Sequence, residues 1–285
     1  MCVADGDCST ILRALTSSTP RVASYPFTTL NPHHGTCVVY SDGSFSGPRE
    51  GLIDDTVLPT ESFSAASPSI SRYERRKERV WVDKVETMRF TMTDNPGLVP
   101  LSSLNVGLGH AFLRHIERCS ALVYVIDLSV EDPVAALDAV RKELREYARM
   151  NGLESDLEGR VRGVVANKAD LFGASVEGEG GIDEDEAARS TAVEGQRKLG
   201  ELTAYVRAME AKEIEDGVRR AEDVIWIVPT SAKRRENTGA LVQKLAETVR
   251  VERERTLERI AEEESDLADE RAEAVERMAA ARDDQ

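Results

Sequence analysis

Three stretches of this chain, residues 121–127, 161–166 and 224–228, are continuous apolar runs of the kind that sit in a parallel sheet covered on both faces. Two further strands are predicted before them: a short β-branched one over residues 36–40, and one over residues 87–93 that delivers Asp94 at its end. Helical patterning fills the gaps. Over residues 133–150 the apolar side chains Val134, Leu137, Val140 and Leu144 form one stripe, with Asp132 as N-cap, Pro133 at the first helical position and Asn151-Gly152 as the stop. Residues 9–16 predict another helix, with Ile11, Leu12 and Leu15 on one face and Ser9-Thr10 near its start. Strand and helix alternate, so the expected class is α/β with a mostly parallel sheet.

The polar segments mark what lies outside that alternation. Residues 41–71 are rich in Ser, Pro, Gly and Asp, and residues 72–79 form a charged run, so an insertion is predicted over about 41–86. A second is predicted over about 173–195, where a Gly-rich stretch continues into acidic residues. From Asn237 onward one long helix is expected. Leu257, Ile260, Leu267 and Met278 lie near a heptad seam, but Glu264 and Arg271 interrupt it, which favours a solvated helix over a coiled coil. The expected division is a domain over residues 1–249 and a charged, helical or disordered tail over 250–285.

Charge changes this picture only after it is located. The formal net charge is −15, yet residues 176–187 and 250–285 together hold −12 of it. The remainder is near neutral, so a local surface that faces RNA stays compatible with the composition. Cys2, Cys8, Cys37 and Cys119 show no metal-like spacing and no disulfide framework, which points to a reducing compartment. No apolar run approaches the ~20 residues that span a bilayer, and no targeting segment is visible at the start.

Three short strings carry the candidate chemistry: Asp94-Asn95-Pro96-Gly97-Leu98, Asn167-Lys168-Ala169-Asp170 and Thr230-Ser231-Ala232-Lys233. Each follows a predicted strand, so all three converge at the carboxyl edge of one sheet, where open α/β folds bind ligands. The Asp170 carboxylate can accept two hydrogen bonds from guanine N1–H and the 2-amino group, and the Lys168 stem can cover the base. Adenine lacks that donor pair. Either string alone also reads as a turn or a cap; their order favours the guanine reading. Asp94, at a strand end, can hold a Mg²⁺ water and Gly97 can offer an N–H to a γ-phosphate. Ser231-Ala232-Lys233 can support the base edge through backbone groups. Thr28 and Thr29 can supply a switch hydroxyl to Mg²⁺, or simply start the next strand. Leu98 stands where many such enzymes keep a water-orienting Gln, so any hydrolysis is expected to be slow. His33 and His34 are expected as exposed loop residues, and His110 and His115 as packing or capping groups.

With Tyr25-Pro26-Phe27-Thr28-Thr29-Leu30 and the stretch from Val106 to Cys119 added, these strings resemble the Obg family of GTPases, in its fungal mitochondrial branch. The resemblance covers residues 9–249 apart from the two insertions. It implies a Ras-like G domain that binds GTP or GDP with Mg²⁺, hydrolyses GTP slowly and serves maturation of the large ribosomal subunit, with a mitochondrial location. The implied nucleotide contacts are Ser9, Thr10, Phe27, Thr28, Thr29, Leu30, Asn31, Asp94, Asn95, Pro96, Gly97, Asn167, Lys168, Ala169, Asp170, Ser231, Ala232 and Lys233. Of these, Ser9, Thr29 and, through water, Asp94 would manage the metal, while Thr29 and Gly97 would serve the chemistry.

The chain departs from the family at its start. Cys8 stands at the phosphate-binding Lys, Asp7 at the preceding Gly, and the family's first strand and Gly-rich N-terminal domain are missing from this sequence. Losing a cation and gaining a carboxylate beside a triphosphate weakens binding by several kcal/mol at low effective dielectric. Two readings therefore stand: a GTP-binding protein whose start is altered or incomplete, and a nucleotide-independent remnant that docks on the ribosome.

Overall fold

A six-stranded sheet in the order β2-β3-β1-β4-β5-β6 organises the molecule. The computed structural model describes residues 2–3, 8–16, 33–46, 85–94, 114–152, 154–172 and 182–283. The strands are β1 (Cys2–Val3), β2 (His33–Tyr40), β3 (Glu86–Asp94), β4 (Leu122–Asp127), β5 (Val161–Asn167) and β6 (Trp226–Pro229). The helices are α1 (Cys8–Leu15), α2 (Arg114–Glu117), α3 (Pro133–Asn151), α4 (Glu154–Gly159), α5 (Ile182–Glu215) and α6 (Thr238–Asp283). Among these strands β2 runs antiparallel to β3, and the other neighbours in the sheet pair in parallel.

Alternation along β4 shows how the sequence builds two cores. Tyr124 and Ile126 face one layer with Leu137, Leu144, Leu157, Leu202 and Val206, from α3, α4 and α5. Val123 and Val125 face the other, with Ile11, Leu12 and Leu15 of α1 and Leu241, Val242 and Leu245 of α6. A strand apolar on both faces needs a cover on each. The β5 strand is closed further by Gly163, where an added Cβ would lie 2.3 Å from the Trp226 ring.

Caps follow the sequence closely. Asp132 accepts from the Val134 and Ala135 N–H groups at 2.9 Å, and Gly152 ends α3 at φ 70°, a left-handed position that suits glycine. Other expectations shift. A first strand, expected to be absent, is present as the short Cys2–Val3 between β3 and β4, with Cys2 in register with Asp94 and Val123. His33 and His34 lie on β2 rather than in a loop, with His33 paired to Asp94 and the His34 Nδ1 2.9 Å from the Thr93 hydroxyl. Within the expected second insertion, residues 182–195 are helical and form the first turns of α5. The last strand starts at Trp226, with Val224 exposed before it. Most of the first insertion lies outside the described residues.

Candidate functional site

The carboxyl ends of β3, β4, β5 and β6 place Asp94, Asp127, Asn167 and Pro229 along one edge, with Asp127 opposite Asn167 and Ala166 opposite Pro229. The Asn167 side chain is 2 % exposed, and its Oδ1 accepts from the Ala232 N–H at 3.1 Å. This bond ties the second candidate string to the third. The Ala169 N–H donates to the Thr230 carbonyl at 3.2 Å, and the Thr230 N–H donates to the Ala166 carbonyl at 2.8 Å. Ser231 is closed against Glu236 by two backbone bonds of 3.1 Å, and the Asn237 amide donates to the Pro229 carbonyl at 2.7 Å. The turn after β6 is therefore held to the turn after β5 at several points.

Lys168 takes a left-handed conformation at φ 62°, uncommon for a residue with a Cβ. Its ammonium is fixed 2.8 Å from Asp127 Oδ2, and the short 3₁₀ turn Ala169–Leu171 that follows carries Asp170. Burial pushes the Asp127 carboxyl up, but Lys168 together with the Ser129 hydroxyl and N–H outweighs it and leaves Asp127 below the usual carboxylate range. Asp127 was not among the residues chosen from sequence. The available signal was a strand ending in a carboxylate at the same edge as Asp94 and Asn167.

The buried Asp170 carboxylate, Oδ2, lies 3.5 Å from Nε of Arg234, whose own N–H donates to Ser231 Oγ at 3.0 Å. No signal in the sequence points to Arg234. Lys233, the candidate beside it, is exposed.

At the other end of the edge the Ser9 hydroxyl donates to Asp94 Oδ2, joining the first turn of α1 to the end of β3. Burial raises the Asp94 pKa, opposed by the Ser9 bond and by the charge of His33. Oxygen ligands of this kind, one hydroxyl and one carboxylate, suit Mg²⁺, which keeps several waters and shares its shell with phosphate. Among the described residues no group of three His, Cys, Asp or Glu side chains gathers in a metal-like cluster, so a metal here would rely on Ser9, Asp94, water and a bound phosphate. The phosphate side is a poorer fit, because Cys8, buried at 5 % exposure, supplies no cation. Thr10 is half-buried on the same first turn. Phe27, Thr28, Thr29, Leu30, Asn31, Asn95, Pro96, Gly97 and His110 lie outside the described residues.

This sheet order, with its candidate strings on successive strand ends, is that of a Ras-like G domain. The chain belongs to the 50S ribosome-binding GTPase family, whose model matches residues 9–168. It is 33% identical over 163 residues to human mitochondrial ribosome-associated GTPase 2, covering 57% of this chain and 28% of that protein. It is 34% identical over 166 residues to the GTPase Obg of Tropheryma whipplei, covering 58% and 27%. A structure of Aquifex aeolicus Era bound to GDP and aluminium fluoride aligns with 87% of this chain and 55% of its own, at 16% identity and a TM-score of 0.38. The chain thus spans less than a third of the length of these two curated relatives.

Proposed function

We propose that residues 1–249 form an Obg-type G domain that binds GTP and GDP with Mg²⁺ and hydrolyses GTP slowly, and that residues 250–285 are a charged helical extension. The observation that carries this reading is the Asn167–Ala232 hydrogen bond, which brings the Asp170 turn and the Ser231-Ala232-Lys233 turn to one place. There Asp170 would read the guanine edge, the Ala232 segment would back it, and the Lys168 stem would lie along the ring. Ser9 and Asp94 would hold Mg²⁺ beside the phosphates, with Thr29 and Gly97 sensing the γ-phosphate. The relatives' names, one mitochondrial ribosome-associated and one Obg, support a ribosomal partner in mitochondria; within that reading the partner is the large ribosomal subunit or its precursor. Among the described residues no helix is long and apolar enough to cross a membrane.

Thermal unfolding tests the assignment. GTP, and not ATP, is expected to raise the midpoint in Mg²⁺ buffer, and Asp170→Asn is expected to abolish most of that rise. A GTP response that survives the substitution would refute the role of Asp170. The second reading, ribosome docking without nucleotide, is favoured by the uncharged, buried Cys8 where a phosphate-binding cation is expected. It predicts no midpoint change at millimolar GTP together with sedimentation on ribosomal particles that GTP does not alter.

A further inference from the structure

We infer that Arg234 is a self-contained competitor for the base-reading carboxylate, a latch that guanine must displace. The inference rests on the guanine reading of Asp170 above. Arg234 Nε stands 3.5 Å from Asp170 Oδ2, while the Arg234 backbone is pinned through its N–H to Ser231 Oγ at 3.0 Å. That bond fixes where the side chain starts. Its guanidinium then occupies an oxygen of the same carboxylate that would accept from guanine N1–H or the 2-amino group. A carboxylate oxygen has two lone pairs, but a planar guanidinium beside it fills the space in which a ring edge would lie.

Two features make Arg234 a displaceable group and not a structural tie. Its side chain is 39% exposed whereas that of Asp170 is 7% exposed, so the cation can swing into water while the acceptor stays in place. The guanidinium also stands 3.9 Å from Glu236, which is 54% exposed, so a second carboxylate lies within reach on the solvent side. The structure holds the closed state, with Arg234 beside Asp170; in the open state that the latch requires, Arg234 would turn towards Glu236 and solvent. Guanine binding would exchange one ion-pair partner for two neutral hydrogen-bond donors. The latch lowers affinity for every ligand that uses Asp170 and leaves purines that ignore it unaffected.

GDP titration of the full chain in Mg²⁺ buffer, detected through ligand NMR up to millimolar concentration, tests the latch. Arg234→Ala and Arg234→Gln are each expected to bind GDP roughly two- to fivefold more tightly at low salt, the scale of a half-exposed ion pair. Arg234→Lys, which keeps a cation, is expected to stay nearer the parent. Raising salt from about 50 mM to about 500 mM should shrink the advantage of the Ala and Gln variants, because screening opens the latch in the parent. Unchanged or weaker GDP binding in Arg234→Ala and Arg234→Gln would overturn the latch while leaving the guanine site standing. If neither the parent nor any variant binds GDP, the guanine reading itself falls and the latch falls with it.

Discussion

Asp94 illustrates how one residue trades stability for a site. It is 2 % exposed, its burial raises its pKa, and the partial relief comes from the Ser9 hydroxyl and the neighbouring His33. Because the folded-state pKa exceeds the unfolded value of about 3.9, the stability linked to this group is fully present below that value. It is lost as pH rises through the folded pKa. Asp94→Asn removes the buried charge and keeps an oxygen that can accept from Ser9. The nucleotide-free variant is therefore expected to have a higher thermal midpoint than the parent at neutral pH, with the difference vanishing in acid. A lower midpoint at neutral pH would show that the carboxylate is stabilising as it stands. Asp94 and Asn167 were legible as candidates because each terminates a run of strand-forming side chains, and Asp170 because it closes the short string that begins at Asn167. Asp127 and Arg234 were not, since nothing local distinguishes an ordinary strand end or surface arginine from one aimed by a distant turn.

Between elements, the most consequential polar contact is a buried triad on the helix layer. Glu213 of α5 accepts from Arg141 of α3 at 2.9 Å and from Arg219 at 2.9 Å, and the Arg219 side chain is fully buried. Arg219 also donates to the Val161 carbonyl at 2.7 Å, so the triad ties the end of α5 to the start of β5. Removing the acid strands two cations in low dielectric. Glu213→Ala is expected to cost about 3 to 5 kcal/mol in chemical denaturation, and Glu213→Gln, which can still accept, clearly less. Equal losses in both variants would locate the effect in packing instead. The helices α1 and α3 were readable from apolar spacing and caps. The start of α5 was not, because its acidic first turns share the composition of a solvated loop, while the apolar spacing of Leu202, Val206 and Met209, which pack in the core, comes later. The histidines on β2 were misplaced for a related reason: His33-His34-Gly35 lacks β-branched residues, yet Gly35 lets the strand approach Thr16, where a Cβ would lie 2.5 Å from its hydroxyl.

Across the whole molecule, α6 joins two regimes. Up to Thr256 it is bound to the sheet: Glu252 pairs with Arg162 at 2.7 Å, and Arg255 with Asp223 at 2.6 Å. Beyond it Leu257, Ile260 and Leu267 are exposed. Truncation after Glu262 is accordingly expected to move the thermal midpoint by less than about 2 °C, whereas truncation before Glu252 lowers it by several degrees, as loss of half-buried pairs worth roughly 1 to 3 kcal/mol implies. Comparable losses from both would place a stabilising contact in the distal helix. The central claim, that Asp170 reads a guanine edge, is tested most directly by the affinity order of three diphosphates. Guanine offers the carboxylate two donors, hypoxanthine one and adenine none, and a hydrogen bond to a charged group contributes about 1.5 to 3 kcal/mol. Calorimetry is predicted to give GDP tightest, IDP weaker by at least roughly tenfold and ADP weakest; equal affinity for GDP and ADP would contradict the account.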